Sequence, residues 1–221
     1  MKRLLVLASG DAEGGGSGAR ELAESARTGI LQAEIVGFVS NHEYGGVRKH
    51  ADQLKLPFFH FPGPYTAENY QRYRAETGAD FIAASGWVKY IRGLPPDRTF
   101  NIHPAPLPKF GGHNWYGRRV HQEVLEAFKR GEMHHTEVCM HFVIEDKTGD
   151  KEKGYDKGPV FFRALVDILE DDTVESLFRR VNAIEHHCQS AVTSFVVNDL
   201  IRWDGKDPDS LVGRLTWNFL S

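Results

Sequence analysis

The sequence has few of the features that mark secreted, membrane-spanning or nucleic-acid-binding proteins. Its 221 residues include two cysteines, Cys139 and Cys188, which is too few for a disulfide framework and is typical of a reducing cytoplasm. No apolar run approaches the ~20 residues that a membrane helix needs, and the short run at 4–7 lacks a signal peptide's longer apolar region. The formal net charge of −3 does not favour nucleic acid. We therefore predict a cytoplasmic protein without a nucleic-acid or membrane partner.

Short apolar segments alternate with segments of helical character along most of the chain. This alternation predicts a Rossmann-like, mostly parallel twisted sheet with helices on both faces. Two later apolar segments, 136–144 and 160–168, are expected to form an antiparallel C-terminal part, followed by a long helix that Asp172 or Thr173 caps. The tail from residue 202 onward is expected to pack loosely over the sheet. Because no repeat or low-complexity linker interrupts the chain, we predict one domain over 1–221.

The most informative stretch is 100–112, which reads Phe-Asn-Ile-His-Pro-Ala-Pro-Leu-Pro-Lys-Phe-Gly-Gly. Asn101 and His103 are two apart, so at the end of a strand their side chains point to the same side. Pro104 then ends the strand, because it has no N–H to donate. A carboxamide can donate to a developing oxyanion, and an imidazole can carry a proton. The alternative is a proline-rich turn in which both side chains satisfy only local backbone groups.

A glycine-rich loop at 10–18 lies between the first predicted strand and the first predicted helix. This order favours an anion, because the unpaired N–H groups and the dipole of the helix N-terminus face the loop. Neither the Walker lysine motif nor a clear dinucleotide fingerprint is present. The alternative to an anion site is a flexible loop between a strand and a helix. Ligands of parallel sheets bind beyond the carboxyl ends of the strands, where this loop, the 87–91 turn and Asn101/His103 are all expected.

A metal site is not predicted. His134, His135, Cys139 and His141 lie close together in the sequence. Their spacing does not complete a recognisable zinc motif.

Taken together, these motifs resemble the folate-dependent formyltransferases over nearly the whole chain. The most specific pair is Asn-Ile-His-Pro at 101–104 followed by Asp-Lys-Gly-Pro at 156–159. The other matching segments are 9–10 with the following glycine loop, 40–41, 84–90, 107–111, 141–143 and 181–186.

The resemblance implies a reaction and three catalytic residues. A formyl group would pass from 10-formyltetrahydrofolate, the cosubstrate, to the amine of 5′-phosphoribosylglycinamide in purine biosynthesis. Asn101 would stabilise the oxyanion, and His103 would act as the general acid. Asp156 would raise the pKa of His103. The partners would be these small molecules, and the protein would be a monomer or a homodimer.

The resemblance also implies ligand contacts. Residues 1–103 would form the half that binds the nucleotide phosphate, and 104–221 the half that binds folate and carries out catalysis. The folate contacts would be Trp87, Val88, Lys89, Tyr90, Ile91 and Asn101. The substrate contacts would be Gly15, Gly16, Ser17, Gly18, Pro104, Asn182 and Glu185.

Three departures from the family pattern accompany the match. The first loop has extra residues at 11–14, an insertion precedes Asp156 at 147–153, and no arginine lies near Gly63 to meet the folate tail. The alternatives are a formyltransferase for another amine (a sugar nucleotide or an aminoacyl-tRNA), a formyltetrahydrofolate hydrolase, and a non-catalytic nucleotide-binding module.

Overall fold

The structure, a computed structural model, describes residues 1–146 and 154–220. The insertion expected at 147–153, including its order and folate contacts, therefore lies outside the described residues. The strands are β1 (Lys2–Leu7), β2 (Ala33–Ser40), β3 (Phe58–His60), β4 (Phe81–Ala84), β5 (Thr99–His103), β6 (His135–Phe142), β7 (Val160–Asp167) and β8 (Leu215–Phe219). The α-helices are α1 (Ser17–Thr28), α2 (Gly46–Leu54), α3 (Ala67–Thr77), α4 (Arg118–Lys129) and α5 (Val174–Val197).

The eight strands form one sheet in the order β3-β2-β1-β4-β5-β6-β7-β8. Strands β1 to β5 pair in parallel, whereas β6 is antiparallel to both β5 and β7. The predicted fold, a mostly parallel sheet with an antiparallel C-terminal part, is confirmed.

Both faces of the sheet are buried. Along β1, Leu4 and Val6 belong to a large core that α1, α2, α4 and α5 cover, while Leu5 and Leu7 belong to a smaller core covered by α3 and the 87–91 segment. Successive strand residues point to opposite faces, so a strand buried on both sides reads as a continuous apolar run. This arrangement leaves the carboxyl ends of the parallel strands as the open edge for a site.

The C-terminal tail differs from the expectation of loose packing. It contains β8, which pairs in parallel with β7 and forms an edge of the sheet. Leu215, Trp217 and Phe219 alternate with exposed residues and pack against the larger core. The Trp217 ring meets Phe162 edge-on at 5.2 Å between centroids. The physical reason is that three apolar residues on one face of a strand gain more by burial than a loose tail could.

Thr173, one of the two predicted caps, is the N-cap of the long helix α5. The Thr173 side chain accepts a hydrogen bond from the Ser176 N–H, and the Ser176 side chain accepts one from the Thr173 N–H. This reciprocal pair satisfies two backbone donors that the first turn leaves open. Asp172 instead accepts from the Leu169 N–H and pairs with Arg180.

Candidate active site

Three predicted residues meet at the carboxyl end of β5. Asn101 and His103 lie on this strand, and Asp156 reaches them from the segment before β7. Asp156 Oδ1 is 3.5 Å from Asn101 Nδ2, and Asp156 Oδ2 is 3.8 Å from His103 Nδ1. The carboxylate therefore lies beside both side chains, 55 residues further along the chain.

His103 is buried, and its tautomer follows from its partners. Its Nε2 lies 2.7 Å from the Phe110 carbonyl oxygen. Because a carbonyl only accepts, Nε2 carries a proton, and Nδ1 is left as the atom that gains or loses one. Burial lowers the pKa of His103, while Asp156 and the Phe110 carbonyl act in the opposite direction. The expectation that Asp156 raises the pKa of His103 is right for that pair, but desolvation outweighs it.

Asp156 is held as a carboxylate. Burial by itself would raise its pKa, but the side chains of His141 and His103 and the Gly112 N–H at 3.0 Å together lower the pKa to about 2. The residue adopts a left-handed backbone conformation with φ of 53°. This conformation is uncommon outside glycine and is tolerated best by asparagine and aspartate, so the position suits an aspartate that must turn its carboxylate inward.

A fourth polar residue, His141, belongs to the same cluster and was not predicted as a site residue. It lies directly opposite Asn101 in the antiparallel pairing of β5 with β6. Its Nδ1 faces the Phe142 carbonyl at 2.8 Å, so Nδ1 carries a proton. Its Nε2 is 3.1 Å from Asn101 Nδ2 and 3.3 Å from Asp156 Oδ1. The signals in the sequence were the family motif at 141–143 and the predicted antiparallel pairing of 136–144 with 160–168.

A cavity of about 500 Å³ opens in front of this cluster. It is lined by all seven residues predicted to contact the substrate and by the three predicted catalytic residues. These lining residues are Gly15, Gly16, Ser17, Gly18, Asn101, His103, Pro104, Asp156, Asn182 and Glu185. Among the lining residues that were not predicted as site residues are Ser85, His121, Tyr155, His186 and Gln189.

One end of this larger cavity is suited to an anion. Helix α1 begins there at Ser17, after Gly16 in a left-handed conformation (φ 79°), and no acidic residue lies in its first turn. His186 Nε2 is 3.1 Å from Ser17 Oγ. Among the described residues, no lysine or arginine lines the cavity. An anion here would therefore meet backbone N–H groups, a hydroxyl and an imidazole.

Asn182 and Glu185 lie on the cavity-facing side of α5. Asn182 Nδ2 donates to Glu185 Oε2 at 3.2 Å. Burial raises the pKa of Glu185 to about 7, against the opposing effect of that hydrogen bond. A carboxyl group that is partly protonated near neutral pH can accept or donate a hydrogen bond, which suits a hydroxyl-bearing ligand.

The predicted folate segment lines a second, smaller cavity of about 40 Å³. Trp87, Lys89, Tyr90 and Ile91 contribute to this cavity, whereas Val88 lines only the larger one and Trp87 lines both. Trp87 also has a packing role, since its indole N–H donates to Tyr70 at 3.0 Å. Both cavities take lining residues from either side of the expected boundary between 103 and 104.

Two further expectations concern a metal site and a membrane-spanning segment. No three or more histidine, cysteine, aspartate or glutamate side chains within 1–146 and 154–220 are grouped so as to hold a metal ion. In the same part of the chain, none of the helices has the length and apolar character that crossing a membrane requires.

Comparison with known proteins identifies the family. A family model described as formyl transferase matches residues 2–193. The chain belongs to this family. A chloroplastic phosphoribosylglycinamide formyltransferase of Arabidopsis thaliana is 31% identical, over 91% of this chain and 68% of its own length. The predicted membership of the formyltransferases is confirmed.

Solved structures add evidence on the fold of this formyltransferase. A phosphoribosylglycinamide formyltransferase from Anaplasma phagocytophilum matches with a TM-score of 0.76 over 99% of both chains, at 24% identity. A formyltetrahydrofolate deformylase from Pseudomonas syringae matches with a TM-score of 0.70, over 90% of this chain and 62% of that one, at 20% identity. Since a transferase and a deformylase share this architecture, the choice between them depends on the site.

Proposed function

We propose that this formyltransferase moves the formyl group of 10-formyltetrahydrofolate to the amine of 5′-phosphoribosylglycinamide. The observation that carries the proposal is that Asn101 and Asp156 line both cavities. The larger cavity, with its anion-binding end, is assigned to the phosphorylated amine. The smaller cavity, beside the 87–91 segment, holds about 40 Å³ and is assigned to only one part of the formyl donor, next to the formyl group. The reacting atoms would then meet beside Asn101 and Asp156, two of the residues that the two cavities share.

Asn101 is assigned to the oxyanion. Attack of the amine on the formyl carbon places negative charge on the formyl oxygen. The Asn101 amide has two N–H groups, and one of them is directed at His141 Nε2 when that imidazole is neutral. The second lies towards Asp156 Oδ1 at 3.5 Å, a long and weak contact, so it can turn to the formyl oxygen. A donor preorganised in a water-poor site stabilises the intermediate more than water does.

His103 is assigned to proton transfer through Nδ1. Since burial lowers its pKa, the resting imidazole is neutral and Nδ1 holds a lone pair. Nδ1 can accept the proton that the attacking amine loses and then deliver it to the departing folate nitrogen. His103 would thus act first as a base and then as the predicted general acid.

Asp156 is assigned to stabilising the transient imidazolium. When Nδ1 takes up a proton, the Asp156 carboxylate at 3.8 Å provides the opposite charge. The Gly112 N–H donates to Asp156 Oδ2 at 3.0 Å and holds the carboxylate in place, so it is preorganised for this step. His141 is a positioning residue, because its contacts are to Asn101 and Asp156.

Hydrolysis of the formyl donor is the second candidate, because the fold is shared with a deformylase. A water molecule in the larger cavity could replace the amine. The anion-binding end favours transfer, because hydrolysis has no need of a phosphate site.

The test is a turnover assay with 10-formyltetrahydrofolate in the presence and absence of phosphoribosylglycinamide, followed by folate absorbance. We expect turnover only with the glycinamide, and a loss of about 10²- to 10⁴-fold in His103→Ala. His187→Ala, at an exposed histidine of α5 that does not line the cavity, is the matched control. Deformylation without the glycinamide would instead identify a hydrolase, and no turnover in either case would direct the search to other amines.

A further inference from the structure

Three polar groups from distant parts of the chain form a chain of hydrogen bonds at the floor of the larger cavity. Ser85, just after β4, donates from Oγ to Gln189 Oε1 at 3.0 Å. Gln189, on α5, donates from Nε2 to the Gly18 carbonyl oxygen in the first turn of α1 at 2.8 Å. Ser85 and Gln189 are both buried, and all three residues line the cavity. The contact joins α1, α5 and the end of β4.

The direction of these bonds follows from the Gly18 carbonyl, which can only accept. It therefore requires the NH₂ side of the Gln189 amide, so the amide oxygen must face Ser85. An amide oxygen also only accepts, so the Ser85 hydroxyl must use its single proton on Gln189. What Ser85 retains for a ligand is its lone pairs. The floor of the cavity at Ser85 is thus a hydrogen-bond acceptor rather than a donor.

Glycine at position 18 is what makes room for Ser85. A Cβ on Gly18 would lie 2.2 Å from Ser85 Oγ, far inside van der Waals contact. The hydroxyl thus occupies the space over the first turn of α1 that a side chain at position 18 would otherwise fill. It lies beside the first turn of α1 and one residue beyond Ala84, which pairs with Asn101 of β5.

We propose that Ser85 is a specificity-determining residue for the amine substrate, and that its Oγ accepts a hydrogen bond from a donor group of that substrate, a sugar hydroxyl or an amide N–H. Gln189 is the positioning residue that sets this polarity. The inference rests on the proposed function and assigns a recognition contact within the same cavity. A buried acceptor left without a donor is costly, so a substrate lacking the donor group is discriminated against.

The experiment compares kcat/KM of the wild type and Ser85→Ala for three substrates. These are phosphoribosylglycinamide, its 2′,3′-dideoxyribosyl analogue, and its analogue methylated at the amide nitrogen. For the natural substrate we expect Ser85→Ala to raise KM about three- to tenfold, the range for one neutral hydrogen bond, with kcat and the KM of the folate donor unchanged. If the donor is a hydroxyl, the effect of Ser85→Ala disappears with the dideoxy analogue. If the donor is the amide N–H, it disappears with the methylated analogue.

Two further variants separate recognition from structure. Ser85→Cys keeps the side-chain volume but replaces the oxygen with a weak acceptor, so we expect the same rise in KM. Ser190→Ala removes a buried hydroxyl from the neighbouring position on α5, outside the cavity lining, and should leave KM unchanged. An unchanged KM in both Ser85 variants would overturn the inference while leaving the proposed function intact. A wild type without glycinamide-dependent turnover would overturn both.

Discussion

Glu185→Gln is the most informative single change for the electrostatics of the cavity. Glu185 lies on α5 among desolvating cavity walls, and burial raises its pKa from 4.5 to about 7. The folded protein therefore favours the protonated carboxyl, whereas the unfolded chain ionises at the ordinary value. Glutamine has nearly the same shape and cannot ionise, so it removes the free-energy cost of burying an ionised carboxylate at this position.

The sign and size of the effect follow from the two pKa values. Because the folded-state pKa is the higher one, the contribution of Glu185 to stability is fully present below pH 4.5 and is lost as pH rises towards 7. The difference of about 2.5 in pKa corresponds to about 3 kcal/mol at 1.36 kcal/mol per pKa unit. Relative to Glu185→Gln, the free energy of unfolding of the wild type should thus fall by about 3 kcal/mol between pH 4.5 and 7 and should fall no further at higher pH.

The assay is urea unfolding of both proteins without ligand, at intervals from pH 4.5 to 8.5, with unfolding free energies obtained by linear extrapolation. Glu126→Gln, at an exposed position of α4, is the control for a change of this type on a helix surface. The reasoning is refuted if the difference between the wild type and Glu185→Gln stays constant over the whole range. A difference that grows in the opposite direction would mean that the fold stabilises the Glu185 carboxylate.

Three other changes test the site and the fold. Asp156→Asn keeps the shape of the side chain but removes the charge beside His103, and should lower kcat/KM by about 10²-fold or more in the glycinamide assay; a loss below threefold would contradict the assigned role. Trp217→Ala removes the edge-on contact of β8 with Phe162 and should cost about 2 kcal/mol in urea unfolding while kcat stays unchanged; an unaltered midpoint would mean that β8 adds no stability. Gly18→Ala should cost about 1–3 kcal/mol because of the 2.2 Å approach to Ser85, and the same change combined with Ser85→Ala should recover part of that loss; no recovery would place the strain elsewhere.

Local patterns in the sequence were enough to predict much of the site. Asn101 and His103 are two apart at a strand end, so their common direction follows from the period of a strand. The glycine loop between β1 and α1 predicted an anion site in the same way, through the geometry of a helix N-terminus, and the loop lines the larger cavity. The role of Asp156 came from the family resemblance, since nothing in its local sequence directs it to His103.

Other features depend on pairings between distant segments. His141 joins the cluster because β6 runs antiparallel to β5 in one register, which places it opposite Asn101; a shift of one residue would turn it to the other face. Gln189 meets Ser85 across 104 residues, so only the packing of α5 on the sheet brings them together. The edge position of β8 was missed for the same reason.

The sequence by itself determined the family, the alternation of strands and helices, and the residue types at the ends of the strands, because these depend on short-range periodicity and on motifs of a few residues. The tertiary structure decided the protonation of the site. Desolvation of His103 outweighs the charge of Asp156, and desolvation of Glu185 raises its pKa to about 7. Both effects depend on how much water the surrounding chain excludes from the side chain. Water is excluded only after α4, α5 and the sheet have packed around the cavity.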